Sequence, residues 1–186
     1  PVQSGSDPVL QRMKRRYSVA SFRHICEVLR KEIPDLTLST DIIVGFPTET
    51  EEQFIETLKV CKDIGFDVIN ISRFVARKGT IAAGMDGQID GDVKKDRSRR
   101  LTDQFRTCST DILKKWIGWK GRVLVDQIRK DGTVVCRNYA YKQVIISGDY
   151  PLGTKLDVEI TGSTTFYLNG AISSPDSSTG LLSLGS

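Results

Sequence analysis

The sequence predicts an α/β segment followed by an all-β segment, and two observations carry that prediction. Up to about residue 116, apolar residues at helical spacing alternate with short, nearly continuous apolar runs, joined by short connections. After Gly118 the pattern becomes short runs rich in Val and Ile, separated by glycine-containing turns. The first pattern is that of βα repeats, closed as a barrel or open as a parallel sheet. The second suggests a small closed barrel. We therefore divide the chain into 1–117, 118–173 and a Ser-, Gly- and Leu-rich tail at 174–186, expected to be disordered.

Residues 8–31 read as helix, with Pro8 in the first turn, Asp7 as cap and an apolar stripe through Val9, Leu10, Met13 and Tyr17. Ser18 or Ser21 caps a second helix carrying Phe22, Ile25, Cys26, Val28 and Leu29, and Pro34 ends it. Residues 36–44 form a strand apolar on both sides, which predicts burial on both faces and a parallel neighbour on each side. Thr48 or Thr50 caps the next helix, where Glu49, Glu51 and Glu52 favour the positive end of its dipole. Gly65 stops it, and residues 66–74 are a second strand. A glycine-rich loop leads to one long amphipathic helix through Val93, Arg97, Leu101, Phe105, Cys108, Ile112 and Trp116. Five strands follow, at 122–128, 133–138, 141–147, 155–161 and 165–172.

The chain has 186 residues, 39% of them hydrophobic and 27% charged, which excludes collagen-like, mucin-like and generally disordered classes. No apolar run approaches the roughly 18 residues that span a bilayer, and no signal peptide opens the sequence. It starts at Pro1 without an initiator Met, so we expect either a processed chain or a piece of something longer. The net charge of +4 is too small to indicate nucleic-acid binding by itself. Two basic blocks, one from Arg12 to Lys31 and one from Lys94 to Arg100, read as solvated helix faces. Cys26, Cys61, Cys108 and Cys136 lack zinc-finger or iron–sulfur spacing and read as reduced thiols of an intracellular protein. His24 has no partner histidine, and we expect no metal site.

Two constellations carry chemistry. Gln3-Ser4-Gly5-Ser6-Asp7 precedes a helix, where small residues admit a ligand to the backbone and the helix N-terminus attracts carboxylate or phosphate. The run from Thr40 and Asp41 through Gly45-Phe46-Pro47 to Glu49 places polar groups around the C-terminal mouth of a strand, where parallel sheets bind ligands. Asp41 either faces such a ligand or satisfies neighbouring backbone. In the last segment Lys130, Arg137 and Lys142 interleave with Tyr139 and Tyr141, a pattern of cations and rings suited to unpaired RNA bases. One of the two tyrosines is expected to fill the barrel interior.

The runs Val2–Asp7 and Met13–Tyr17, the stretch 40–50, and Phe74-Val75-Ala76-Arg77-Lys78-Gly79-Thr80 together resemble radical S-adenosylmethionine methylthiotransferases, in order and spacing, over residues 1–116. Residues 121–173 resemble the TRAM module, a small tRNA-binding β barrel. The run Arg137-Asn138-Tyr139-Ala140-Tyr141-Lys142-Gln143-Val144 is most similar to the archaeal and eukaryotic branch, which adds a methylthio group to threonylcarbamoyladenosine beside the anticodon. The resemblance implies the C-terminal part of a radical SAM (β/α)6 partial barrel, picked up at its fourth strand, then TRAM.

The family's CxxxCxxC loop has no counterpart in this sequence. The resemblance therefore implies that the iron–sulfur ligands lie outside this chain, in N-terminal domains of the full-length parent that would be its partners, together with tRNA. Alone the chain would be inactive and hold no catalytic residue. It implies S-adenosylmethionine contacts from Gln3, Ser4, Ser6, Arg15, Thr40, Asp41, Gly45 and Glu49. It implies substrate or RNA contacts from Arg77, Arg122, Lys130, Arg137, Tyr139 and Lys142. A cytoplasmic, non-membrane protein is expected. The alternatives are a methylthiotransferase for isopentenyladenosine or a ribosomal protein, or a non-catalytic RNA-binding adaptor.

Overall fold

Strands β1 (Ser39–Val44) and β2 (Val68–Arg73) pair in parallel, with Asp41 opposite Asn70 and Ile43 opposite Ser72. A computed structural model describes residues 1–173. The expected tail at 174–186 lies outside the described residues. The chain folds as two compact units, one of Pro1–Lys115 with Thr164–Phe166, the other of Trp116–Ser163 with the stretch from Tyr167.

In the first unit the helical stretch at 8–31 divides into two helices at Ser18, one of the two caps the sequence offers. The first, α1 (Asp7–Arg12), has only six residues, and α2 (Val19–Glu32) starts at a Ser18 capping box. Asp7 does not cap α1; its carboxylate accepts from the Val19 amide at 2.7 Å, so it secures the start of α2. Lys14 takes φ 57° in the turn between them, a conformation no helix continues through. On the far side of β1 from β2, Gln3 makes an isolated parallel bridge to Ile42, its amide donating to the Asp41 carbonyl at 3.0 Å. Both edges of β1 therefore have partners.

β1 is not buried on both faces as its composition predicts. Thr40, Ile42 and Val44 are buried, whereas Asp41 and Ile43 are only half covered. The buried face joins Phe54, Val60, Cys61 and Ile64 of helix α3 (Glu51–Ile64), together with Phe66 and Leu101. Thr50 caps α3 with Gln53 closing the box, and Gly65 ends it in the left-handed region at φ 63°. Leu101 comes from α4 (Gly91–Lys114), which starts at Asp90. Between β2 and α4 a single 3-10 turn, Ile81–Gly84, interrupts the glycine-rich loop.

The second unit is a closed barrel in the order β3-β4-β5-β7-β6, with β3 Lys120–Ile128, β4 Thr133–Arg137, β5 Gln143–Ser147, β6 Lys155–Ser163 and β7 Leu168–Ile172. β5 and β7 pair in parallel and the other ladders are antiparallel, and closure leaves this sheet without an open edge. Val123, Val125, Val134, Cys136, Val144, Ile146, Val158, Ile160 and Leu168 fill the interior. Neither tyrosine does. Tyr139 and Tyr141 are 67% and 66% exposed, because both lie on the β4–β5 connection rather than on a strand.

Gly5 lets the N-terminal turn approach the backbone of α3 closely. A Cβ there would lie 2.5 Å from the Thr57 Cα of α3, while the Gly5 amide donates to the Thr57 hydroxyl at 2.9 Å. Backbone cannot step aside as a flexible side chain can. Gly5→Ala is expected to destabilise the protein by about 1–3 kcal/mol through overpacking, read as a lower urea midpoint. A midpoint within error of the parent would show that α3 shifts freely.

Candidate functional site

The alternation of β1 gives it a face that the core does not use. Asp41 and Ile43 lie on that face, with Ser72 at the matching register of β2. They line a cavity of about 560 Å³ together with Gln3, Phe74, Arg77 and Thr80. Asp41 accepts from the Asn70 side-chain amide at 2.9 Å, which orients the carboxylate along the strand pair. Gln3 holds φ 66° as it bridges β1, and Thr80 caps the 3-10 turn that closes the other side. A second cavity of about 230 Å³ shares Ile43, Phe74 and Ala82 with the first, so the two adjoin. Its wall is Met13, Phe46 and Met85, and its rim is Arg12, Lys14 and Arg15.

The structure therefore brings Gln3, Asp41 and Arg77 together and sets Arg15 in the adjoining space. Arg15 does not lie within the helix that follows the Ser-Gly-Ser loop, contrary to expectation. α1 ends at Arg12, and the Arg15 amide donates back to the Leu10 carbonyl at 2.9 Å from the following turn. Ser4, Ser6 and Thr40 line neither cavity. Ser4 Oγ lies 3.3 Å from the Thr57 hydroxyl, Ser6 is fully buried, and the Thr40 hydroxyl accepts from the Val2 amide at 2.9 Å. The small residues of this turn bring α3 close; they do not open the backbone to a ligand.

Gly45 and Glu49 support the strand mouth from behind. Gly45 sits at φ 72° with the Lys94 stem so close that a Cβ would fall 2.2 Å from Lys94 Cγ. The Lys94 ammonium then donates to the Phe74 carbonyl at 3.3 Å, at the end of β2. Glu49 Oε2 accepts from the Gly45 amide at 2.7 Å and from Arg97 at 2.8 Å, and Arg97 also donates to the Glu49 carbonyl at 3.1 Å. Arg97 is 4% exposed, so the basic block of α4 is not a solvated face throughout. Arg97, with Arg100, also lies over the Phe54 ring at 5.5 and 4.9 Å.

Sequence reasoning did not assign Arg12, Met13 and Met85 to the site, and it named Phe46 only as part of the strand-end run. Arg12 Nη2 donates to the Gln53 side chain at 2.7 Å, while its Nε is buried without a partner among the described residues. The signal is its place at the end of the short helix that follows the Ser-Gly-Ser loop.

In the barrel unit, Arg122 makes a two-pronged pair with Asp157 at 3.0 and 3.1 Å. Arg137 donates to Asp126 at 3.0 Å, and its guanidinium carbon lies 4.9 Å from the Tyr141 ring centroid. Lys142 is 6% exposed with its ammonium 6.0 Å from the Trp116 ring, so it is not displayed as a surface cation. Lys130 is exposed in the β3–β4 turn. Tyr139 tilts against Trp116 and Trp119 at 5.9 and 6.0 Å, and those two rings meet edge-on at 5.7 Å.

Residues 1–61 match the model of the Radical SAM superfamily. Over 172 residues the chain is 41% identical to the probable threonylcarbamoyladenosine tRNA methylthiotransferase of Archaeoglobus fulgidus, covering 92% of this chain and 40% of that protein. The threonylcarbamoyladenosine tRNA methylthiotransferase of Drosophila melanogaster is 42% identical over 174 residues, 92% of this chain and 31% of its own length. This chain is similar to these tRNA methylthiotransferases over most of its own length. The tRNA-2-methylthio-N(6)-dimethylallyladenosine synthase of Aquifex aeolicus is also similar, at 38% identity over 92% of this chain and 39% of that protein. The chain thus spans two fifths or less of the length of these methylthiotransferases. No helix among the described residues is long and apolar enough to cross a membrane.

The superfamily's iron–sulfur cluster does not fit the cysteines present. Cys26 and Cys61 are buried in the core of the first unit and Cys136 in the barrel interior, and among the described residues no group of three or more His, Cys, Asp and Glu could hold a metal ion. Burial pushes the Cys61 thiol up to about 12 and the Cys136 thiol up to about 11, so both stay protonated and are poor ligands.

Burial also raises the Glu49 carboxyl above its ordinary value, with the Gly45 amide and Arg97 pulling it part of the way back. The folded protein therefore holds that proton more tightly than the unfolded chain. Its stabilising contribution is complete below the ordinary carboxylate value and declines as pH rises through the raised one. Glu49→Gln is expected to flatten this decline, measured by urea unfolding between about pH 4 and 7; an unchanged slope would assign it to another group. Arg97→Met leaves the carboxylate buried and unpaired. A loss of about 3–5 kcal/mol near neutral pH is expected, and a smaller loss when Glu49→Gln accompanies it. Equal losses with and without Glu49→Gln would mean that the two side chains act independently.

Proposed function

We propose that this chain forms the C-terminal section of a tRNA methylthiotransferase that modifies threonylcarbamoyladenosine. The observation that carries the reading is identity of about 40% to threonylcarbamoyladenosine enzymes over 92% of the chain, through the βα unit and the barrel alike. In this reading the β1–β2 unit is the last part of a (β/α)6 partial barrel and the second unit is a TRAM module. The compartment is then the cytoplasm, and the earlier domains, with the cluster ligands, are partners of this section.

The joined cavities suit S-adenosylmethionine. The cationic rim of Arg12 and Arg15 complements a carboxylate, the Phe46 and Met13 wall an apolar or aromatic body, and Asp41 the hydroxyl or amine donors. Arg12 Nε supports this fit, being buried and unpartnered beside that rim. The cofactor would supply the methyl group and the radical, while this chain's residues orient it and keep water from it. Gln3 and Arg77 would stand where the first cavity opens toward substrate. Ser4, Ser6, Thr40, Gly45 and Glu49 act on the site by fixing the backbone that carries Gln3 and Asp41. The barrel would supply tRNA contacts through Lys130, Arg137 and Tyr139, with Lys142 and Arg122 shaping the surface around them.

Mass spectrometry of tRNA nucleosides from cells lacking the gene tests the assignment. The methylthio form of threonylcarbamoyladenosine should vanish while its precursor accumulates. Loss of the methylthio form of dimethylallyladenosine instead would transfer the activity to that substrate.

A further inference from the structure

The connection between β4 and β5 holds a side chain in a backbone conformation that disfavours it. The Tyr141 amide donates to the Asn138 carbonyl at 2.9 Å, and the Asn138 side-chain oxygen accepts from the Ala140 and Lys142 amides at 3.1 and 2.9 Å. The turn returns the chain to register at Arg137 opposite Gln143. It does so with Tyr141 at φ 62°, where glycine or asparagine is relaxed and a bulky aromatic is an outlier. Packing does not account for the ring, because Tyr141 is 66% exposed and the barrel interior is complete without it. Its ring lies against the Arg137 guanidinium, which Asp126 holds in place. Tyr139 belongs to a different set of rings, with Trp116 and Trp119.

We propose that Tyr141 is a nucleobase-stacking residue for a single-stranded segment of RNA, separate from the Tyr139 ring cluster. The proposal rests on the tRNA reading above and adds a subsite to it. An exposed π face backed by a fixed guanidinium suits a planar, electron-poor base regardless of its identity. An aliphatic protein partner would need exposed apolar neighbours, whereas Ala140 beside it is buried and the side chain against the ring is the Arg137 guanidinium. A strained backbone that persists around an exposed ring points to a use for that ring outside the fold.

The test is Tyr141→Gly in the full chain, with an unmodified tRNA transcript as probe at several salt concentrations. Relief of the left-handed strain should leave the thermal midpoint unchanged or raise it by a few degrees. Affinity should fall by about 5- to 100-fold with no change in salt slope, since stacking releases no counterion. Tyr141→Phe should bind like the parent. A glycine variant that binds as tightly as the parent overturns the subsite and leaves the tRNA reading standing. A lower midpoint for that variant would make Tyr141 a packing residue and also overturn it. A parent chain that binds no tRNA brings down both readings together.

Discussion

A carboxyl and a guanidinium that meet out of water hold the mouth of β1 against α4. Glu49 and Arg97 are each almost fully buried, so neither tolerates losing the other. Glu49 grips Gly45 at one end of the strand-mouth turn, and Arg97 grips the Glu49 carbonyl at the other. Lys94, one turn earlier on α4, fills the space that Gly45 leaves and reaches the end of β2. Two strand ends and one helix are thus tied at a single point, and the cavity walls Phe46 and Phe74, which meet edge-on at 5.2 Å, sit directly on it.

That tie leaves the opposite face of the strand pair available for a ligand. A parallel pair buried on both faces would have no cavity. Here Thr40, Ile42 and Val44 face the core while Asp41 and Ile43 line the cavity, so one strand serves both on alternate residues. Close packing at Gly5 performs the matching task on the other edge. It draws α3 in and fixes the turn from which Gln3 reaches β1. Groups named from the motif therefore divide by role. Gln3 and Asp41 stand at the cavity, while Ser4, Thr40 and Glu49 hold the backbone that places them.

Much of this was legible in the sequence because period and punctuation are local. A threonine cap at position 48 or 50, which the structure places at Thr50, the stop at Gly65, the long stripe of α4 and the short Val- and Ile-rich runs of the barrel all depend on neighbours in the chain. The closed barrel is the architecture those runs suggested. What the sequence could not reveal depends on partners distant in the chain. Arg97 falls on the apolar stripe of α4 in the sequence, but its partner Glu49, far away in the chain, appears only in the fold. Lys142 looks like a surface cation until the Trp116 ring is beside it. Asp7 resembles a cap for the helix it begins, yet it serves the next one. Neither tyrosine fills the barrel as expected, because strand alternation stops at the β4–β5 turn that carries them both.

Backbone strain follows the same division. Among the described residues, five that are not glycine hold positive φ, namely Gln3, Lys14, Asp35, Thr48 and Tyr141. Gln3 and Lys14 line the two cavities, and Thr48 lies in the strand-mouth turn, where its amide donates to the Gly87 carbonyl at 2.8 Å. A β-branched residue in that region costs more than most, and the neighbouring contact keeps it there: Gly87 approaches so closely that a Cβ would lie 2.7 Å from the Thr48 methyl. Tyr141 is the equivalent in the barrel unit, held by the Asn138 turn and exposed at its ring. Two of these five strained positions, Gln3 and Lys14, thus lie at the cavities. Strain of this kind persists only where surrounding contacts over-determine it. Here those contacts are Gly87 on Thr48, β1 on Gln3 and the Asn138 side chain around Tyr141, and each of them is a polar or backbone contact rather than a side chain of the apolar core.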